Sequence, residues 1–268
     1  MGRRSPSLVA GGAIVAMLVL AAALGPLLVR SDPFAIDLTH VLAPPSRGHW
    51  LGCDALGRDM LARVLWGARL SLVVSTAVVL LSLSAGGLVG GAAALAGGRV
   101  DSVVMRLVDV VLAFPGFLLA LALAAILGPG LIDLVVALTA MGWTGYARLV
   151  RGEVLSLRER EYVEAARALG APPARLLVRH LLPGLAGPLA VQATFGVGGI
   201  IIAEAALSFL GLGALPPAPS WGNMLDTGRA FLLVAPHLTT APGVAIGASV
   251  LGFNLLGDGL AQMVGRRG

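Results

Sequence analysis

The 268 residues are 57% hydrophobic and 12% charged, against roughly a quarter charged in an ordinary soluble domain, so water is not the main solvent of this chain. The 37 glycines would weaken soluble helices but suit membrane helices that pack backbone against backbone. All 19 basic residues are arginine, and the net charge of +5 is interleaved with long apolar runs rather than gathered in a basic, aromatic-laced patch, which sets nucleic acid aside.

A membrane-crossing helix needs about 20 apolar residues. Leu8 to Val29 meets this without a charge. Arg3 and Arg4 precede it as in a signal peptide, but the run is longer than the usual apolar region and no small-residue cleavage site follows, so a retained first span is predicted. Arg30 to Arg69 begins as extended, Pro-containing chain. Asp59 to Trp66 then has an amphipathic helical pattern and is expected to lie along the membrane surface. The second span covers Leu70 to Ala96, where Gly86-Gly87 and Gly90-Gly91 give small-xxx-small spacing for close helix contact.

Ser102 to Leu127 is the third span. Arg106 and Asp109 are expected to pair three residues apart near its inner end, and Pro115 to kink it. Gly128-Pro129-Gly130 reverses the chain into a fourth span, Leu131 to Val150. A charged segment, 151–183, leads to a fifth span at Gly184 to Gly213 and a sixth at Leu233 to Gly257. The predicted fold is all-α with six transmembrane helices, divided into an N-terminal helix with its external segment (1–69) and a core of five helices (70–268).

Six spans place both termini on one side, and arginine decides which, because short cytoplasmic loops are enriched in it. With the N-terminus inside, thirteen arginines are cytoplasmic: Arg3, Arg4, Arg99, Arg106, seven from Arg148 to Arg179, Arg266 and Arg267. Only six fall outside, namely Arg30, Arg47, Arg58, Arg63, Arg69 and Arg229. Segment 151–183 is then an inner loop and the best candidate for a docking surface.

That loop contains Glu164-Ala165-Ala166-Arg167-Ala168-Leu169-Gly170, followed by His180-Leu181-Leu182-Pro183. It reads as a short helix of strong helix formers, a glycine permitting a left-handed turn, a second Arg-rich helix and a proline opening the next span. A surface helix, a bend and a rigid return make a lever; the plainer alternative is a solvated interhelical loop. A second triplet, Glu204-Ala205-Ala206, has Leu210 rather than Gly six residues on, and sits in a span.

The full pattern resembles the EAA loop of binding-protein-dependent ABC importer permeases. Leu51-Gly52-Cys53-Asp54-Ala55-Leu56-Gly57-Arg58-Asp59, Gly97-Gly98-Arg99-Val100-Asp101, Phe114-Pro115 and Leu207-Ser208-Phe209-Leu210-Gly211-Leu212-Gly213 are similar to the dipeptide, oligopeptide and nickel permeases, in particular their C-type subunit. Cys53 stands where that family usually has Thr, and His180 at an aliphatic position of the general pattern.

The resemblance implies a type I importer in the bacterial inner membrane. This subunit would pair with a homologous permease, above two ATP-binding subunits and below an extracytoplasmic binding protein. It implies an ATPase-coupling role for Glu164, Ala165, Ala166 and Gly170, with Arg167 and Arg175 as further candidates. It implies no cofactor, ATP being bound by the partner subunits; the chain has no lysine to complete a P-loop of its own. Peptide is the first expectation for the solute, then nickel, then another small compound of haem-like or opine-like kind.

Glu204, flanked by Ile200, Ile201, Ile202 and Ala203, needs a partner or a water-filled path, since a central charge costs roughly 2.5–3.5 kcal/mol. Gate or pathway group and plain interfacial structure both stand. Asp133 and Asp258 fall at span ends, where solvation is expected. His49, Cys53 and Asp54 fall short of a closed metal site, and the single cysteine excludes an internal disulfide framework. An intramembrane enzyme would need a catalytic constellation, and neither HExxH nor GxSxG occurs. A passive channel would leave the EAA loop without a purpose.

Overall fold

A computed structural model describes residues 6–29, 31–172, 175, 176, 179 and 182–265, with the side chains of Pro26, Leu28, Arg167 and Leu182 excepted. Nine helices of eight or more residues occur among them: α1 Pro6–Leu28, α2 Met60–Ala96, α3 Gly98–Ala113, α4 Gly116–Leu127, α5 Leu131–Leu157, α6 Glu161–Ala168, α7 Leu182–Phe209, α8 Trp221–Arg229 and α9 His237–Gly265. No strand occurs among the described residues; an isolated bridge joins Cys53 and Asp59. The terminal arginines Arg3, Arg4, Arg266 and Arg267, together with Arg30, His180 and Leu181, lie outside the described set, as does most of the second helix expected between Gly170 and Pro183.

Four helices, α1, α2, α7 and α9, are long and apolar enough to cross a membrane, and the α3–α4 pair makes a fifth candidate if taken as one span. The remaining expected span, the fourth, is α5. Its 27 residues would reach about 40 Å, but Asp133, Arg148, Arg151 and Glu153 make it more polar than the others. The outer spans also differ in extent from the expectation: the fifth starts at Leu182 and stops at Phe209, and the sixth runs from His237 to Gly265.

Three expectations need correction. The third span is not one kinked helix, because α3 and α4 meet at 86°. Phe114, preceding proline, is extended (φ −81°, ψ 139°), as the ring of the next residue demands, and Pro115 has no N–H to carry the helix through. Nor does the amphipathic stretch 59–66 lie along a membrane surface. It is the first part of α2, capped by Asp59 accepting from the Ala62 N–H at 2.8 Å, and Met60, Ala62, Arg63 and Gly67 are buried. Its polar–apolar alternation reflects packing against protein: Trp221 Nε1 of α8 donates to the Val64 carbonyl at 3.0 Å, and the Arg63 guanidinium donates to the Pro33 carbonyl at 3.1 Å. Finally, Asp109 pairs with Arg148 of α5 at 2.6 Å rather than with Arg106, since α3 packs along α5 and turns that carboxylate toward it.

The glycine stripe of α2 packs as expected. A Cβ at Gly86 would stand 2.2 Å from the Trp143 carbonyl oxygen, and one at Gly90 2.1 Å from that of Ala147, so only glycine lets α2 and α5 approach this closely. One apolar core unites α1, α2, α7, α8 and α9 around Met60, Val79, Ile201 and Trp221. A second joins α2, α4, α5 and α7 around Val78, Leu134 and Leu207. The bundle has two unlike ends. One carries residues 31–59, α8 and the start of α9, where a ring nitrogen of His237 lies 3.2 Å from the Cys53 carbonyl oxygen. The other carries the end of α5, α6 and the start of α7. The start of α1 and the end of α9 are there too, with Gly259 against Leu8 and Gly187 against Val264.

Candidate functional site

The Glu164–Gly170 stretch forms α6 and its turn at that second end. Glu161 and Glu164 occupy the first turn, where acidic side chains suit the positive helix end. Gly170 has φ +80°, the left-handed turn expected of it. The helix is docked on one side only. Val163 and Leu176 are buried with Val150 and Val154 of α5, Leu185 of α7 and Ala94 of α2, and Ala166 packs against the same cluster. On the free side Tyr162, Glu164 and Ala165 are exposed, and Leu169 is 89% exposed. An apolar side chain held out at a turn, on a helix anchored by its opposite face, suits insertion into a groove of another protein. Arg175 is exposed beyond the turn, and its N–H donates to the Pro172 carbonyl at 2.9 Å; the Arg167 side chain lies outside the described residues.

Two ion pairs that sequence reasoning missed tie α3 to α5 just above α6. Arg151 grips Asp101 with two nitrogens, at 2.5 and 2.6 Å, and Arg148 meets Asp109. The Arg151 pair is partly buried and bidentate, the stronger geometry, whereas the exposed Arg148 pair is worth about 1 kcal/mol at most. The ion pairs thus link α5, against which α6 packs, to α3, and the glycine contact links it to α2. Asp101 stands 50 residues from Arg151, so spacing gave no signal of the pair.

Glu204 is fully buried in α7. Its two carboxylate oxygens accept from Ser71 of α2 at 2.8 Å and from Ser208 at 2.9 Å, so serine hydroxyls supply the partners its position demands. Asp258 is exposed, and Asp133 half-buried in the first turn of α5. His49, Cys53 and Asp54 do not converge. His49 Nδ1 is 2.8 Å from Asp59, and Asp54 accepts from the Arg58 guanidinium at 2.7 Å with Arg63 at 3.5 Å. Among the described residues no group of three or more metal-ligating side chains forms. Burial pushes the Cys53 thiol up to about 11, helped by the carboxylates of Asp59 and Asp54.

Comparison with known proteins bears on this geometry. Residues 85–267 match the family model of binding-protein-dependent transport system inner membrane components, and residues 3–45 that of the N-terminal TM domain of oligopeptide transport permease C. A glutathione transport system permease protein of Pectobacterium atrosepticum is 46% identical over 81% of this chain and 72% of its own. A probable D,D-dipeptide transport system permease protein of Escherichia coli is 39% identical over 98% and 89%, and a dipeptide transport system permease protein of Alkalihalophilus pseudofirmus 42% over 94% and 83%. Among solved structures, an inward-facing MetNI methionine ABC transporter chain superposes with a TM-score of 0.63 at 20% identity, covering 76% of this chain and 97% of that one, which establishes the shared fold.

Proposed function

The chain belongs to the binding-protein-dependent transport system inner membrane components, and from that premise we propose that it forms half of the translocation path of an ATP-driven importer of di- or oligopeptides, with α6 as its contact to a separate ATPase. The observation that carries the coupling role is the one-sided docking of α6, with Leu169 and Glu164 free and Val163 anchored. In this reading Glu164, Ala165, Ala166 and Gly170 form the contact, with Arg167 and Arg175 at its edge. A homologous permease supplies the other half of the path, two ATP-binding subunits lie beneath, and an extracytoplasmic binding protein delivers the solute. The peptide assignment draws on relatives whose names specify dipeptide, D,D-dipeptide and glutathione transport.

Both termini are cytoplasmic in this arrangement. The start of α1, the end of α9 and α6 share one end of the bundle, and Arg148, Arg151, Arg158 and Arg160 cluster there, in keeping with the enrichment of basic residues on the inner side. Glu204 acts as a gate latch, because separating α2 from α7 requires breaking its bond to Ser71. The chain itself hydrolyses no ATP.

Reconstitution in liposomes, with and without the products of neighbouring transport genes, tests the reading. Uptake of a labelled dipeptide driven by ATP is expected only with the partners and the binding protein present. ATP hydrolysis or concentrative uptake by this chain alone would overturn it.

A further inference from the structure

Three buried side-chain oxygens among the described residues lack a hydrogen-bond partner: those of Ser82, Thr139 and Tyr146. Two of them line one recess between α2, α5 and α7, a cavity of about 240 Å³ bounded also by Val78, Val79, Gly142, Gln192, Gly196, Gly199 and Ile200. Ser82 is 1% exposed and Tyr146 4%. Buried hydroxyls are almost always paired, with protein or with ordered water, so two unpaired in one cavity indicate a ligand that pairs them. Water takes about 30 Å³ of liquid volume, and the recess has room for several.

The walls keep these oxygens clear. A Cβ at Gly142 would stand 2.5 Å from the Ser82 oxygen, and one at Gly196 2.7 Å from that of Tyr146. None of the described residues lining the recess is charged, so an ion would find no counter-charge there. The mouth lies at Gln192 and Gly199, both exposed. Gln192 is ten residues into the 28-residue α7, near mid-span. A polar side chain at that depth faces a water-filled path or another protein rather than lipid.

We propose that this recess is a hydrogen-bonding site for uncharged donor–acceptor groups on the wall of the translocation path, filled by water at rest and by amide groups of the solute in passage. The second half of that statement rests on the importer reading above; the first does not.

Hydroxyl-radical footprinting of the assembled transporter in nanodiscs tests it, because radicals formed from water mark side chains in contact with it. Tyr146 is expected to be labelled although only 4% of it is exposed. The labelling should be lost in Gly196→Ala, which sets a methyl against the Tyr146 oxygen, and kept in Gly87→Ala, which lies outside the recess and meets nothing within 4 Å. A fall in labelling when dipeptide and binding protein are added to a hydrolysis-arrested complex identifies the solute as the occupant in passage; unchanged labelling keeps water and removes the solute from the site. Because a glycine variant can mispack, Ser82→Ala/Tyr146→Phe provides a second readout. A wet recess predicts a lower Tm for it through lost water bonds, and a dry recess a higher Tm through removal of unpaired hydroxyls. An unlabelled Tyr146 together with that higher Tm would overturn the site. A labelled Tyr146 in a complex without ATP-driven uptake would instead sink the importer reading and leave the hydration site standing.

Discussion

Replacing Gly90 by alanine inserts one methyl between α2 and α5, 2.1 Å from the Ala147 carbonyl oxygen. That is more than 1 Å inside ordinary contact, and the obstacle is backbone, so the helices must part. Overpacking of this kind costs about 1–3 kcal/mol, while alanine in a helix is favoured over glycine by roughly 0.5–1 kcal/mol. Gly87 supplies the internal control. It lies on the same helix, and its Cβ position meets nothing within 4 Å, so Gly87→Ala should keep only the propensity gain. The difference between the two variants isolates the steric cost, about 1–3 kcal/mol. Both would be unfolded in detergent micelles by heat or titrated denaturing surfactant, with helical content followed by circular dichroism. Gly90→Ala is expected below wild type and Gly87→Ala at or above it. Equal stability of the two alanine variants would refute the close α2–α5 contact, and with it the direct route from α6 through α5 to α2.

Cys53 is buried with its thiol pushed up to about 11, so it stays protonated at pH 8 and maleimide should react with it only after unfolding; rapid labelling of the folded chain at that pH would contradict its placement. Glu204→Gln retains an acceptor and a donor for Ser71 and Ser208 and should unfold near wild type, while Glu204→Ala strands both hydroxyls and should lose roughly 2–3 kcal/mol, measured by the same unfolding assay; equal loss in both would show that charge rather than hydrogen bonding holds the site. A reporter fused to the C-terminus should be active only in the cytoplasm and one inserted near Arg47 only outside, and the opposite pattern would reverse the assigned topology.

What was legible in the sequence followed local physics. Gly170 lies between a run of helix formers and Ala171-Pro172-Pro173, which cannot continue the helix, and its left-handed φ needs only that context. The Gly86 and Gly90 stripe was readable because two glycines four apart share a helix face. The break at Pro115 was legible as a position but not as an 86° turn, because apolar composition is alike on both sides of it and hydropathy carries no direction. The first turns of α2 misled for a related reason. Their alternation between apolar and polar residues is what a water–lipid boundary would also produce, whereas residues 31–59 and Trp221, distant in sequence, cover them. The pairing of Asp109 with Arg148, 39 residues away, and the recess under Ser82 and Tyr146 depend on how α2, α5 and α7 meet, which no single segment encodes.

The coupling role of α6 is tested most directly by dipeptide uptake and binding-protein-stimulated ATP hydrolysis, measured together in the reconstituted transporter carrying Gly170→Pro. Proline fixes φ near −65°, whereas Gly170 requires +80°, so the turn after α6 cannot form, while the spans lie outside the altered residue. The variant is expected to insert and assemble, to lose most uptake, and to hydrolyse ATP without responding to the loaded binding protein. Wild-type uptake with wild-type stimulation would contradict the account.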